Sequence, residues 1–271
     1  MYESFWKMSA KPFCYRTETA DLYRCRSIQS AALRLQYCID NNASAALLLG
    51  ASGVGKSSLL QQLKHENQQL MPFAHVAFPT LSATELMRMV AAEMLPKAVH
   101  QTTPADQLLS EIHEALRETS AEGYHAVVAF DEAHLLSNDH LNQAVLPLLN
   151  LADTDHDLKL TVVLSGQPVL ASHVARNGQI RERVAVTATM DRFTDNEVKD
   201  YISTRLNLAG VRSEIFTQEA VVAITELSEG NPRRINRLCD MALLVGYADQ
   251  ISTIGENEVR SLSVELLPAA A

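Results

Sequence analysis

The sequence of 271 residues predicts an α/β fold: a three-layer αβα arrangement on a parallel five-stranded sheet over about residues 41–190, followed by a small all-helical lid over 191–271. Three observations carry this. An apolar run, Ala45–Leu49, ends in the glycine-rich stretch Gly50–Leu60 (GASGVGKSSLL), after which Leu59, Leu60 and Leu63 recur at helical spacing. A second apolar run, Ala126–Phe130, has the length of a strand buried on both faces, and it stops at Asp131-Glu132. Strand signals cease after Thr194, where amphipathic segments follow one another, separated by Gly210, Gly230-Asn231 and Gly255.

Taken in order, residues 1–40 form an N-terminal extension. Tyr2, Phe5, Trp6, Phe13, Tyr15 and Tyr23 crowd into it although aromatics make up only 6% of the chain, so this arm packs down on something. Ile28, Ala31, Ala32, Leu35 and Cys38 or Ile39 predict a helix over Ser27–Ile39 laid against the coming sheet. The first strand then leads into the pattern G-x-x-x-x-G-K-[ST], filled by Gly50, Gly55, Lys56 and Ser57. Glycines are required because the backbone must curl round phosphates with its N–H groups inward, where a Cβ would obstruct either the turn or the approach. The helix that starts near Lys56 adds its positive end. This is the phosphate-binding loop of a P-loop NTPase. It assigns nucleotide binding to Gly50, Ala51, Ser52, Gly53, Val54, Gly55, Lys56, Ser57 and Ser58, with Lys56 on the β- and γ-phosphates and Ser57 on Mg²⁺. Tyr23–Arg26 either belong to the packing arm or border the base.

Phe73–Phe78, closed by Pro79, alternates as a second strand, and helices are predicted over Ala83–Leu95 and Pro104–Thr119, the latter capped by Thr103. Acidic side chains directly after the buried third strand need a chemical reason. In a nucleotide hydrolase Asp131 completes the Mg²⁺ shell opposite Ser57, and Glu132 is the general base that polarises the attacking water. His134 completes the letters D-E-A-H but reads as an ordinary loop histidine. A helix over Asn138–Leu151 and a fourth strand, Leu158–Leu164, lead to Ser165-Gly166-Gln167-Pro168. A polar side chain just past a strand lying between the first and third can touch both γ-phosphate and water; Gln167 is the candidate, Ser165 the second. Arg181 and Arg183 precede the fifth strand, Val184–Ala188. Rim arginines cannot easily reach their own phosphates, so their catalytic use is in a neighbouring subunit, against the alternative of surface solubility. Lid helices are predicted over Asp195–Leu208, Thr217–Leu227, Pro232–Ala248 and Glu256–Leu266. Asn231 caps the third of these, Pro232 opens it, and Arg233 either swings toward the γ-phosphate or is solvated.

Composition bounds the rest. The formal charge of −9 disfavours indiscriminate nucleic-acid binding while leaving room for a local basic face. Cys14, Cys25, Cys38 and Cys239 form no C-x-x-C pair, so reduced structural thiols are expected. No stretch has the length of a membrane helix and the N-terminus lacks a signal pattern, so the expectation is a cytoplasmic protein without direct membrane insertion.

The phosphate loop, VVAFDEAH, VVLSGQP, QIRER and GNPRRINRL together resemble an AAA+ ATPase over about residues 20–265. The opening MYESFWKMSAKPF with DEAHLL, LSGQP and GNPRRINRL resembles the ATPase domain of the ExeA (general secretion pathway protein A) group, whose relatives include TniB- and TnsC-type transposition ATPases and origin-recognition ATPases. The resemblance implies ATP and Mg²⁺ as cofactors. It gives Lys56 and Ser57 the Walker A roles, Asp131 and Glu132 the Walker B roles, Gln167 that of sensor 1, Arg233 that of sensor 2, and places Arg181 and Arg183 in the arginine-finger region. It further implies a homo-oligomer with active sites at subunit interfaces. ExeA proteins of secretion systems continue into a membrane span and a peptidoglycan-binding domain, whereas this sequence ends after the lid. The expectation is therefore a stand-alone regulator or a helper that loads other proteins on DNA, either as an ATP hydrolase that drives an unidentified protein partner or as a module whose ATP-dependent assembly takes place on DNA. A P-loop kinase is the weakest reading, because the rim arginines and the helical lid argue against it.

Overall fold

The computed structural model describes residues 1–14, 23–77, 81–96 and 99–266. By their contacts these form two compact units: one contains residues 26–52 and 56–190, the other residues 1–25, 53–55 and 191–271.

The first unit is built on a parallel five-stranded sheet. Its strands are β1 (Ala45–Gly50), β2 (Phe73–Val76), β3 (Ala126–Phe130), β4 (Leu160–Gly166) and β5 (Val184–Met190), in the order β2-β3-β4-β1-β5. Parallel strands need crossover connections, and helices supply them. Helices α1 (Arg26–Asp40) and α2 (Lys56–Glu66) lie against β1, β4 and β5. Against the other face Leu47, Leu49, Val76, Val128, Phe130, Val162 and Leu164 form a continuous core with α3 (Ala83–Met94) and α4 (Ala105–Ala121). The strands are buried end to end in β1, β3 and β4, as helices on both faces require. Strand register decides which side chains meet at the sheet edge: β1 sets Leu48 beside Ser165, and β3 sets Phe130 beside Leu164, so Asp131 emerges next to Ser165.

Several boundaries move for local reasons. Pro104, at φ −63° and ψ 154°, is itself the residue preceding α4, so Thr103 is not the cap. Leu158 N–H closes a turn onto the Asp155 carbonyl, which delays β4 to Leu160, and Ser165 and Gly166 belong to the strand. The second strand ends at Val76; Phe78 and Pro79 lie outside the described residues. The helix expected over Asn138–Leu151 is a turn, α5 (Asn138–His140), a π segment (Leu141–Val145) and α6 (Leu146–Thr154). Pro147, which has no N–H to give, sits in the first turn of α6, where the widened segment joins it. Two short helices, α7 (Val169–Arg176) and α8 (Gly178–Arg181), fill the stretch between β4 and β5.

The second unit contains α9 (Asp195–Leu208), α10 (Gln218–Ser228), α11 (Pro232–Ala248) and α12 (Glu256–Leu266). Thr194 and Thr217 cap α9 and α10, and the Asn231 side chain accepts from the N–H groups of Arg233 and Arg234. The aromatic arm packs within this unit. Trp6 Nε1 donates to the Leu243 carbonyl at 3.0 Å, Tyr2 donates to Asp240, and Phe13 is fully buried with its ring edge-on to Phe216. Arg205 Nε donates to the Pro12 carbonyl at 2.6 Å.

Candidate nucleotide site

The carboxyl ends of β1, β3 and β4 deliver the chemistry to one edge of the sheet. After β1 the chain turns through Ala51–Gly55 into α2, with Gly53 at φ +83° and Gly55 at φ +103°. Both are conformations that a side chain resists. Lys56 opens α2 and is buried; its ammonium donates to the Gly50 carbonyl at 2.9 Å and the Ala51 carbonyl at 3.1 Å. No acidic residue occupies the first turn of α2. A cation at the positive end of a helix is electrostatically unfavourable alone and favourable once an anion lies there, so the loop, lysine and helix fit a phosphate chain.

One turn of backbone brings Ser57 opposite Asp131. The Ser57 hydroxyl donates to Asp131 Oδ2, Ser165 Oγ donates to Oδ1 at 2.8 Å, and the Glu132 N–H donates to Oδ1 at 3.0 Å. Burial pushes the Asp131 carboxyl up, but the contacts from His75, Ser57, Ser165 and the Glu132 N–H outweigh it and hold the group well below the usual carboxylate range. A carboxylate facing a hydroxyl oxygen is a hard-oxygen pair of the kind Mg²⁺ takes when phosphates and water fill its other positions.

Glu132 follows at φ 50° and ψ 32°, a left-handed conformation that a glutamate adopts only when its surroundings impose it. Its carboxylate is partly exposed, with Oε2 3.4 Å from His134 Nδ1. His134 lies in the 3-10 turn Ala133–Leu135, and its backbone N and Cβ crowd Gly166, where an added Cβ would stand 3.1 Å and 3.4 Å from them. Ser165, the second candidate of the pair, is the one that touches Asp131, while Gln167 lies just beyond β4 and its carbonyl accepts from Leu170 N–H. Strand pairing is what sets Ser165 beside Asp131.

The two rim arginines differ. Arg183 is engaged within its own chain, with Nε on Asp153, Nη1 on the Gln179 carbonyl at 2.7 Å and Nη2 on Asn150 Oδ1 at 3.0 Å. Arg181, on α8, has a side chain 60% exposed and only a 4.0 Å approach to Glu182. Arg233 sits in the first turn of α11, its N–H directed to Asn231 Oδ1 at 3.0 Å and to the Gly53 carbonyl at 3.3 Å, all within one unit. Tyr23 packs edge-on against Phe193 and Tyr201. None of the four cysteines is in a disulfide, and among the described residues no helix is long and apolar enough to cross a membrane.

The model of the AAA domain family matches residues 39–173. General secretion pathway protein A of Aeromonas hydrophila is 31% identical over 255 residues, which is 92% of this chain and 45% of that protein, so the chain spans less than half of that relative's length. Among solved structures, the Aeropyrum pernix ORC2 protein in its ADPNP-ADP complexes superposes with a TM-score of 0.74 at 16% identity, covering 97% of this chain and 73% of that one. Cdc6p of Pyrobaculum aerophilum gives 0.75 at 15% identity, covering 96% and 72%. Drosophila ORC bound to DNA gives 0.69 at 18% identity, covering 96% and 65%. These distant structures share the fold. Residues 39–173 carry the AAA domain of a P-loop fold, and over 92% of its length the chain is similar to general secretion pathway protein A.

Proposed function

We propose that the protein binds and hydrolyses Mg²⁺-ATP and couples its nucleotide state to oligomer assembly or to the remodelling of a protein partner. The observation that carries this reading is the Ser57 hydroxyl hydrogen-bonded to an ionised Asp131 directly beside the lysine-bearing loop. In this reading the amides of residues 50–58 and Lys56 hold the phosphates, and Ser57 and Asp131 hold the metal, which supplies charge neutralisation at the β- and γ-phosphates. Ser165 fixes the rotation of Asp131. Glu132 takes a proton from the water that attacks the γ-phosphorus while the bond to the bridging oxygen breaks and ADP leaves, Gln167 orients that water, and Arg233 senses the γ-phosphate. Because Arg183 is committed to Asp153 and Asn150, Arg181 is the arginine offered to a neighbouring subunit's site. A need for ATP supports a cytoplasmic location.

The test is Glu132→Gln. Turnover should fall by roughly 10²–10⁴-fold, the range for loss of a positioned general base, while ATP affinity holds. Unchanged turnover would remove Glu132 from the role.

A second reading is supported by the fold shared with Drosophila ORC bound to DNA: ATP mainly drives assembly on DNA, and hydrolysis resets it. Sedimentation with a non-hydrolysable ATP analogue, with and without duplex DNA, separates the two. Salt-sensitive co-sedimentation supports the DNA reading, and assembly indifferent to DNA supports the first.

A further inference from the structure

Asp131 has one neighbour that the functional reading does not use. His75, near the end of β2, is carried to the site because β2 pairs with β3 in the register His75 to Ala129 and Val76 to Phe130. Its Nε2 lies 3.5 Å from Asp131 Oδ2, buried and without a hydrogen bond. Its other nitrogen, Nδ1, is 2.8 Å from Nε2 of Gln61, which stands on α2 one turn beyond Ser57. An amide N–H facing Nδ1 makes that nitrogen the acceptor, so the ring proton is on Nε2 and faces the carboxylate. A histidine kept only for packing has no need of a partner that fixes its tautomer. Here the fixed tautomer presents a donor to the same oxygen, Oδ2, that Ser57 occupies.

We infer that Gln61 and His75 form a positioning pair for the metal carboxylate: Gln61 orients the ring, and the ring's Nε2–H holds Asp131 Oδ2 in place when the Ser57 oxygen is given over to the cation. This rests on reading the site as one for Mg²⁺-nucleotide. The arrangement ties three elements together, since α2 supplies Ser57 and Gln61, β2 supplies His75, and Asp131 follows β3. Outer-shell donors of this kind tune metal affinity without touching the metal. His75 is therefore a positioning residue, and its loss should weaken the metal's hold and leave phosphate recognition alone.

The experiment measures binding of a fluorescent ATP analogue to the full chain as Mg²⁺ is titrated, with a parallel series in EDTA. His75→Leu is expected to raise the Mg²⁺ concentration for half-maximal binding by about tenfold, within the range measured for outer-shell partners, and to leave affinity in EDTA unchanged. His75→Gln, which returns an N–H near the position of Nε2, should recover most of the loss, and Gln61→Leu should fall between. The inference is overturned if His75→Leu needs no more Mg²⁺ than the wild type, if its affinity drops equally in EDTA, or if Gln restores no more than Leu. Wild-type binding that ignores Mg²⁺ would instead bring down the reading of the site itself. Should His75→Leu fail to fold by circular dichroism, Gln61→Leu carries the comparison.

Discussion

Glu132 and Gly230 both hold positive φ, and they illustrate two reasons for it. At Glu132 a side chain is accommodated in the left-handed region at a cost of order 1–2 kcal/mol, and in the proposed function that residue is the general base. At Gly230, φ +69°, a side chain is excluded outright: an added Cβ would collide with the Phe193 carbonyl oxygen and stand 3.1 Å and 3.2 Å from the Phe193 C and N. The same backbone segment is tied down by Phe193 N–H donating to the Gly230 carbonyl at 2.8 Å. Gly230→Ala is therefore expected to cost about 3 kcal/mol, combining left-handed strain with overpacking, read as a fall in the denaturant midpoint at constant slope. A loss below about 0.5 kcal/mol would show that the segment shifts freely. The meeting of Ser57 with Asp131 beside the lysine-bearing loop was legible in the sequence from local spacing. Ser165 was legible only as the second candidate after Gln167, and His75 was not legible at all, because the neighbours of each depend on the strand it pairs beside.

At the scale of elements, β3 is anchored at its entry by a buried titratable group. His125 directly precedes the strand; its backbone N–H donates to the Gln69 carbonyl at 2.9 Å and its Nε2 lies 3.0 Å from Thr161 Oγ1 on β4. That hydroxyl donates to the Ala43 carbonyl at 2.9 Å, so it accepts from Nε2–H, and the neutral ring is what the chain of bonds requires. Burial, with Lys159 nearby, pushes the His125 pKa down to about 4, against an opposing pull from Asp40. A depressed histidine binds its proton more readily unfolded, so the contribution is full above the unfolded value near 6.5 and is lost as pH falls toward 4. A shift of that size corresponds to about 3 kcal/mol. Denaturation at several pH values should show stability falling between pH 6.5 and 4, and His125→Phe should flatten that portion of the curve; an identical slope would exclude His125 as its source. Caps behave more simply: Asn231→Ala should cost about 1 kcal/mol, because two first-turn N–H groups of α11 lose their acceptor, while Asn231→Asp should cost far less. Long amphipathic helices such as α9, α11 and α12 were readable to the residue from their caps and period. The π segment and the short α7 and α8 were not, since eight or fewer residues leave too little period to detect, and a π turn follows from how Pro147 meets its neighbours.

For the molecule as a whole, local pattern and long-range assembly part company. The aromatic density of the first residues announced that the arm packs, but its partners, Leu243, Asp240 and Phe216, lie some two hundred residues away and no periodicity names them. Oligomeric catalysis is the remaining question at this scale, and the two rim arginines frame it. Arg183 makes three polar contacts inside its own subunit, whereas Arg181 is largely exposed and its approach to Glu182 is weak at 4.0 Å. If Arg181 acts on a neighbour's phosphates, Arg181→Ala and Glu132→Gln each inactivate a different half of a shared site. Each subunit of one variant keeps what the other lacks. An assembly of equal amounts then contains intact sites wherever an Arg181→Ala subunit, with its glutamate, receives the arginine of a Glu132→Gln neighbour. Random mixing makes these about a quarter of all interfaces, so the mixture should regain about a quarter of wild-type ATP turnover from two nearly inactive proteins. An arginine acting within its own subunit gives no recovery on mixing. A mixture no more active than the mean of its components would therefore assign Arg181 to its own subunit or to the solvent.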